Sequence, residues 1–219
     1  MKKYINILMK CPLFAGISEE ELLAMASCLG ARAVSVPAGE VIFSEGSPAK
    51  YMGLLLSGAA QVVQEDYFGN RTILTHLEPA DLFGESFACA QMEALPVSVI
   101  AAEPSEVLLM DCRRLLTTCT SACDFHNRLI FNLLKVVAMK NLMFQQKIEI
   151  TSKRSTWEKL MTYLAAQAKR CGSNSFTIPF DRQELADYLE VDRSGLSAEI
   201  SKLRKDGVLQ SEKNRFVLL

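Results

Sequence analysis

The sequence of 219 residues has a single Trp, two His and no hydrophobic run of membrane-spanning length. Its longest nearly uncharged stretch, residues 51–64, is too short to cross a bilayer as a helix and is interrupted by Gly53, Ser57, Gly58 and Gln61. Lys2 and Lys3 precede an apolar run, but Asn6 and Lys10 break it and no small-residue cleavage site follows. A secretory signal and a membrane partner are therefore not expected, and the expected location is the cytoplasm. The seven cysteines, at 11, 28, 89, 112, 119, 123 and 171, are odd in number and contain no Cys-x-x-Cys pair. That excludes a disulfide framework and leaves reduced, mostly buried thiols as the expectation. Phosphate-cradling glycine loops of the Walker or Rossmann type are absent, and no histidine stands near Glu85, Cys89 or Ser98 in sequence to complete a nucleophile set. The chain is not expected to be an enzyme. No tract is biased in composition, and 49% hydrophobic against 22% charged residues excludes a disordered chain.

Charge of one sign is missing overall, with 24 Lys and Arg against 25 Asp and Glu, yet it is unevenly placed. Residues 1–150 hold 12 basic and 16 acidic side chains, whereas residues 151–219 hold 12 basic and 9 acidic. The C-terminal part thus carries the sign that suits nucleic acid, by a margin too small to decide the matter.

From Gly30 to Asp111, short apolar runs alternate with Gly, Pro, Asp and Asn punctuation. This predicts strands over 33–36, 41–44, 51–57, 59–65, 71–77, 97–101 and 106–111, with a hairpin turn at Tyr67-Phe68-Gly69-Asn70. Ser18 followed by Glu19, Glu20 and Glu21 predicts a capped helix before them. Turn residues then vanish over 125–150, implying a helix about 39 Å long. Ile130, Leu134, Val137, Asn141, Phe144 and Ile148 make one stripe of it; Leu129, Leu133, Val136, Met143 and Ile150 make another. One stripe is expected to pack on the β-domain and the other to meet the same helix of a second copy in a parallel dimer.

Beyond it, a helix over 156–169 and a loop over 171–175 lead to a capping box, Asp181-Arg182-Gln183-Glu184. The box opens a helix carrying Leu185, Ala186 and Leu189, and after a short turn Asp192 caps another, with Leu196, Ile200 and Leu203 inward. Two capped helices joined so tightly predict a helix-turn-helix, and the segments around 207–209 and 215–218 predict a two-stranded wing. Arg193, Ser194, Ser197 and Glu199 are assigned to the outer face of the second helix, followed by Lys202, Arg204 and Lys205. Arg193, Ser194 and Ser197 suit base edges, while Lys202, together with Arg182 and Gln183 at the preceding helix start, suits phosphates.

The run Ile178-Pro179-Phe180-Asp181-Arg182-Gln183-Glu184-Leu185-Ala186-Asp187-Tyr188-Leu189, with Val191-Asp192-Arg193-Ser194-Gly195-Leu196-Ser197 and Leu203-Arg204-Lys205-Asp206-Gly207, resembles the DNA-binding domain of Crp/Fnr regulators. Upstream, Cys11-Pro12-Leu13-Phe14, Pro37-Ala38-Gly39-Glu40, Glu45-Gly46, Leu56-Ser57-Gly58, Gly69-Asn70-Arg71 and Pro79-Ala80-Asp81-Leu82-Phe83-Gly84-Glu85 resemble the β-roll of the cyclic-nucleotide-binding fold. The resemblance implies an α+β chain with an effector β-roll over 1–124, a dimerisation helix over 125–150 and a winged helix-turn-helix over 151–219. It further implies a homodimer on double-stranded DNA with an inverted-repeat operator, a small-molecule effector, and RNA polymerase as a further partner. By the same resemblance, Gly84, Glu85, Ser86, Val97 and Ser98, with Phe144 of the long helix, are the expected effector pocket.

Departures from the family sharpen that expectation. Cyclic-AMP-binding members follow their Phe-Gly-Glu with Pro-Arg-Ala or Pro-Arg-Ser, whose Arg pairs with the cyclic phosphate; here the segment is Pro96-Val97-Ser98. A phosphate beside Val97 would lose solvation without a charged partner, so an effector other than cyclic AMP is expected. The iron–sulphur members carry a closely spaced cluster, whereas Cys11 and Cys28 are 17 residues apart. Cys119 and Cys123 would share a face if helical, but two thiols are an incomplete ligand set, so no metal is expected and any cofactor stays open. Of the two imidazoles a haem or pH sensor could use, His76 and His126, the first falls in a strand outside the pocket motif. Ala198 stands where several relatives carry a guanine-reading Arg, so a different operator is expected. Two alternatives remain: a sensing module acting on a protein partner, and a thiol switch using Cys89, Cys119 or Cys123.

Overall fold

The computed structural model describes residues 2–65, 67–68, 71–117 and 124–219. It divides into two compact units, the first running to Met139 and the second from Lys140 to Leu219. Among the described residues no helix is long and apolar enough to cross a membrane.

In the first unit, 3-10 turns at Lys2–Tyr4 and Pro12–Phe14 flank α1 (Ile5–Leu8) and precede α2 (Glu19–Cys28). Ser18 caps α2 reciprocally: its N–H donates to Glu21 Oε2 at 2.8 Å, and the Glu21 N–H donates to Ser18 Oγ at 3.3 Å. Then come β1 (Arg32–Val36), β2 (Val41–Phe43), β3 (Tyr51–Ser57), β4 (Ala60–Glu65), β5 (Arg71–Leu77), β6 (Leu82–Phe83), α3 (Glu85–Cys89), β7 (Ser98–Ala101), β8 (Ser105–Asp111), α4 (Cys112–Leu116) and α5 (Asp124–Thr151). All seven expected strands form. The two-residue β6 and the short α3 and α4 were not anticipated, being below the length at which a pattern repeats. Of the expected hairpin turn, Gly69 and Asn70 lie outside the described residues; Tyr67 and Phe68 are exposed, with rings edge to face.

The strands form two antiparallel four-stranded sheets, ordered β1-β8-β3-β6 and β2-β7-β4-β5. Alternation along β3 and β8 builds two cores at once. Leu55, Val107 and Leu109 join Ala60, Leu77, Phe83 and Val99 between the sheets. Met52, Leu54, Leu56, Leu108 and Met110 face the helices, meeting Leu8, Leu13, Phe14, Leu22, Leu129 and Leu133. A strand covered on both faces must be apolar throughout, which is why residues 52–56 read as an unbroken run. Gly53 is the exception within it, because a Cβ there would lie 2.2 Å from the Phe83 ring, the partner it faces on β6.

Helix α5 has the two apolar surfaces its sequence suggested, but with different members. Leu129 and Leu133 are buried in the first unit, Ile130, Val136 and Val137 pack against that core, and Asn132 donates to the carbonyls of Leu13 at 3.0 Å and Ala15 at 2.8 Å. Ile130 and Val137, grouped above with Leu134 and Phe144, thus join Leu129 and Leu133 on the core side, while Met143, grouped above with those two leucines, is exposed. Phe131, Leu134, Met139, Leu142, Phe144 and Ile148 are exposed as well. The error came from placing stripe boundaries by spacing alone on a helix that is apolar around most of its circumference.

The second unit contains the end of α5, α6 (Thr156–Cys171), β9 (Ser175–Thr177), α7 (Arg182–Leu189), α8 (Arg193–Lys205), β10 (Leu209–Glu212) and β11 (Arg215–Leu218). Ser155 and Glu158 cap α6 reciprocally, and Gly172 ends it in the left-handed conformation at φ 61°. The wing is three-stranded, ordered β10-β11-β9, rather than the two-stranded hairpin expected. The additional strand starts at Ser175, the last residue of the segment read as a loop, and continues through Phe176, which pairs with Phe216 and is buried. Leu160, Tyr163, Leu164, Leu185, Leu189, Leu196, Ile200, Leu203 and Phe216 form the core with Ile150 of α5.

Candidate nucleic-acid interface and effector cavity

Local chemistry fixes the geometry of α7 and α8. At α7, the Asp181 N–H donates to Glu184 Oε2 at 2.7 Å and the Glu184 N–H donates to Asp181 Oδ1 at 2.9 Å. Phe180, just before the cap, packs on Tyr188 with ring centroids 4.9 Å apart, and Tyr188 packs on Tyr163 at 5.4 Å. This aromatic group seats the helix on α6, and burial pushes the Tyr163 hydroxyl up to about 12. Glu190 then turns the chain at φ 54°. At α8 the Asp192 carboxylate accepts from the Gly195 N–H at 2.8 Å and from the Ser194 hydroxyl, and these bonds hold its pKa below the usual carboxylate range.

With Leu196, Ile200 and Leu203 inward, α8 turns Arg193, Ser194, Ala198, Ser201, Lys202, Arg204 and Lys205 to solvent. Steps of four and three from Ser194 through Ala198, Ser201 and Lys205 define the middle of this face. Ser201, which the sequence reading passed over, sits on it, and the same step count would have found it. Glu199, by contrast, does not belong to the outer face. It flanks the buried row, and its Oε1 is buried without a hydrogen-bond partner. Ser197 is half-buried at the edge. The outward face after Asp192 therefore bears four cations and no carboxylate as far as Asp206.

Among the other expected contacts, Arg193 and Lys202 are exposed, whereas Ser194 is engaged with its cap. The Gln183 amide donates to Asp187 Oδ1 at 2.8 Å. Arg182 is half-buried against the wing: its guanidinium lies 5.7 Å over the Phe216 ring and Nη2 donates to the Lys213 carbonyl at 3.4 Å. Burial lowers its pKa, and it acts as a brace between α7 and the wing turn as well as a surface cation.

The expected effector residues separate in the structure. Gly84, in the left-handed region at φ 73°, links β6 to α3, and a Cβ there would lie 2.8 Å from Phe43. Gly84 and Val97 line a small cavity whose other walls are Phe43, Val62, Phe87, Leu95 and Val99. None of these lining residues carries a charge. Glu85 is buried beside the cavity, and the exposed Ser86 hydroxyl lies 3.5 Å from Glu85 Oε1. Ser98 turns instead to the chain after β2, accepting from the Glu45 N–H at 3.0 Å. Phe144 belongs to the second unit, where its ring is exposed. Phe43 and Val62 went unrecognised because β2-β7-β4 pairing, not sequence proximity, brings them to this place, whereas Phe87, Leu95 and Val99 lie within three residues of Gly84 or Val97 and were passed over.

His76 is exposed on β5. His126 is buried, its Nε2 2.7 Å from the Leu115 carbonyl oxygen, which ties α5 to α4. Cys119 and Cys123 lie outside the described residues. Among the described residues no group of three His, Cys, Asp or Glu is placed to hold a metal.

Residues 33–121 match the family described as the cyclic nucleotide-binding domain, and residues 158–219 match the Crp-like helix-turn-helix domain. The transcriptional activator protein FnrL of Cereibacter sphaeroides is 25% identical, over 84% of this chain and 75% of that protein. A CRP-like cAMP-activated global transcriptional regulator of Mycobacterium tuberculosis is 29% identical over 80 residues, spanning 36% of this chain and only 35% of its own length. Among solved structures, the Thermus thermophilus catabolite activator protein shares the fold, with a TM-score of 0.50 at 22% identity over 95% of this chain and 93% of that one.

Proposed function

Because the chain belongs to the Crp/Fnr family of DNA-binding transcription regulators, we propose that it works in the cytoplasm as a homodimer on an inverted-repeat operator, without enzymatic activity. Residues 125–150 are the dimerisation helix. Their outward row of Phe131, Leu134, Leu142 and Ile148 is too apolar to face water on a lone chain, and a second copy in parallel covers it most simply. The observation that carries the DNA reading is the outward face of α8, with Arg193, Lys202, Arg204 and Lys205 and no competing carboxylate. Arg193, Ser194 and Ser197 at the capped start read base edges; Lys202, Arg182 and Gln183 hold phosphates. Duplexes selected from a random pool should contain two inverted half-sites about 34 Å apart. Recovery of no duplex, or of one half-site bound by a monomer, overturns this reading.

The effector is not cyclic AMP. In the cavity Val97 and its apolar neighbours would face the cyclic phosphate, and a buried anion without a cation or a full set of donors is not held. A small, uncharged, predominantly apolar ligand suits these walls, and its binding in the first unit is coupled to the DNA affinity of the second.

A further inference from the structure

Cys89 is the last residue of α3 and Cys112 the first of α4. Their sulfurs are 3.5 Å apart, close enough for a thiol hydrogen bond, although 23 residues separate them in the chain. A disulfide requires about 2.05 Å, so the gap must close by only about 1.5 Å. Access differs between the partners: Cys112 is 1% exposed, whereas Cys89 is only half-buried.

We propose that Cys89 and Cys112 are an oxidation site at which a hydroperoxide converts the two thiols into an intramolecular disulfide that repositions α3. The Cys89 sulfur attacks the terminal oxygen of the hydroperoxide, breaking the O–O bond; Cys89 becomes a sulfenic acid and the thiol proton leaves with the alcohol, or with water when the oxidant is hydrogen peroxide. The Cys112 sulfur then attacks the Cys89 sulfur, the S–O bond breaks, and the hydroxyl departs as water with the Cys112 proton. Two thiols and one hydroperoxide thus give one disulfide, one alcohol and one water. The hydrogen bond suits these roles. With Cys112 donating, it holds the Cys89 thiol below its ordinary pKa, against burial and the Glu85 carboxylate. The same bond, with burial and the charges of Cys89 and Asp111, pushes Cys112 up and keeps it the protonated, second-acting partner. Drawing Cys89 toward α4 pulls on the helix that carries Phe87, a wall of the cavity. Reduction by a small thiol returns both cysteines. Disulfide formation does not depend on the DNA reading; only its effect on operator affinity rests on it.

The test is peptide mapping of the full chain after peroxide treatment and alkylation of the remaining thiols. The expected result is a Cys89–Cys112 cross-linked peptide, lost on reduction. In Cys112→Ser, Cys89 should stop at a sulfenic acid trapped by dimedone, and in Cys89→Ser, Cys112 should stay alkylatable. If the wild-type chain keeps both thiols while the exposed Cys171 is oxidised, or if Cys89 joins another cysteine, the proposal is overturned without reference to either variant. Operator titration of oxidised and reduced protein forms the second arm. A change of about tenfold, abolished in Cys89→Ser, is expected for a coupled site. Unchanged affinity with the disulfide formed overturns the link to α3 while leaving the DNA reading intact.

Discussion

The two ends of the molecule keep different portions of one family pattern. In the second unit the scaffold is accompanied by an exposed cationic face: caps at Asp181 and Asp192, an apolar inner row on α8, and cations outward. In the first unit the scaffold persists, with Gly84 holding its left-handed turn and Glu85 buried at the start of α3, but Val97 stands at the wall where a phosphate-binding member has a guanidinium. Scaffold residues answer to backbone geometry and packing, and ligand-reading residues answer only to the ligand. One set can therefore change while the other stays.

The largest effect should come from the helix that spans both units. In the proposed dimer, Leu134→Asp or Leu142→Asp would place two charges in the dry seam, costing at least about 3 kcal/mol, more than a hundredfold in its dissociation constant. Sedimentation equilibrium measures this, and a folded variant that stays dimeric removes the seam from α5. Val137→Asp should instead lower the stability of the first unit, because Val137 packs against that unit's own core. Next is Leu196→Ala, which empties a fully buried position in the second unit. Calorimetric unfolding should show a loss of about 2–5 kcal/mol confined to that unit's transition. A loss shared equally with the β-roll would show that the two units do not unfold separately.

Operator titrations at several salt concentrations compare the two arginines. Arg193→Ala should cost about 1–3 kcal/mol and relax sequence preference within a half-site. Arg182→Ala should weaken all sequences alike, by about 1 kcal/mol, and flatten the salt slope by about one unit. Part of the second effect comes through the wing, since Arg182 also braces Phe216 and the Lys213 carbonyl. A smaller effect is expected from acid. The Asp192 carboxylate has a depressed pKa in the folded chain, so its contribution is fully present above the unfolded carboxylate pKa and is lost as pH falls through the lower, folded value. Asp192→Asn keeps an acceptor but cannot titrate. The acid-induced drop in Tm should therefore be less steep in this variant, and an unchanged acid limb would mean that the cap does not contribute. The smallest effect is at the cavity, where calorimetric titration of cyclic AMP should give no saturable heat. Micromolar binding would show that another donor replaces the missing guanidinium and would erase the contrast between the two units.

Much of this was legible in sequence because the signals are local. Asp181 and Glu184, or Ser18 and Glu21, stand three residues apart and satisfy each other's backbone donors, so these helix starts were visible. The strands showed through their apolar runs and turn residues. The wing's third strand did not, because residues 175–177 become a strand only when β11 supplies the partner. On α8 the exposed cations were visible, but the inward lean of Glu199 and the attachment of Arg182 to Phe216 depend on side chains packed from elsewhere.

The sequence by itself determined the α+β class, the capped helix-turn-helix and the long helix, since each rests on residue type and short-range spacing, while the expectation at Val97 came only through the family resemblance. Only the tertiary structure decided which side of α5 is outward, which residues wall the cavity and that Cys89 meets Cys112. The physical reason is that these depend on contacts between segments distant in the chain: the roll claims Val137 and leaves Leu142 exposed, antiparallel pairing carries Phe43, Val62 and Val99 to one place, and α3 and α4 bring together two thiols 23 residues apart.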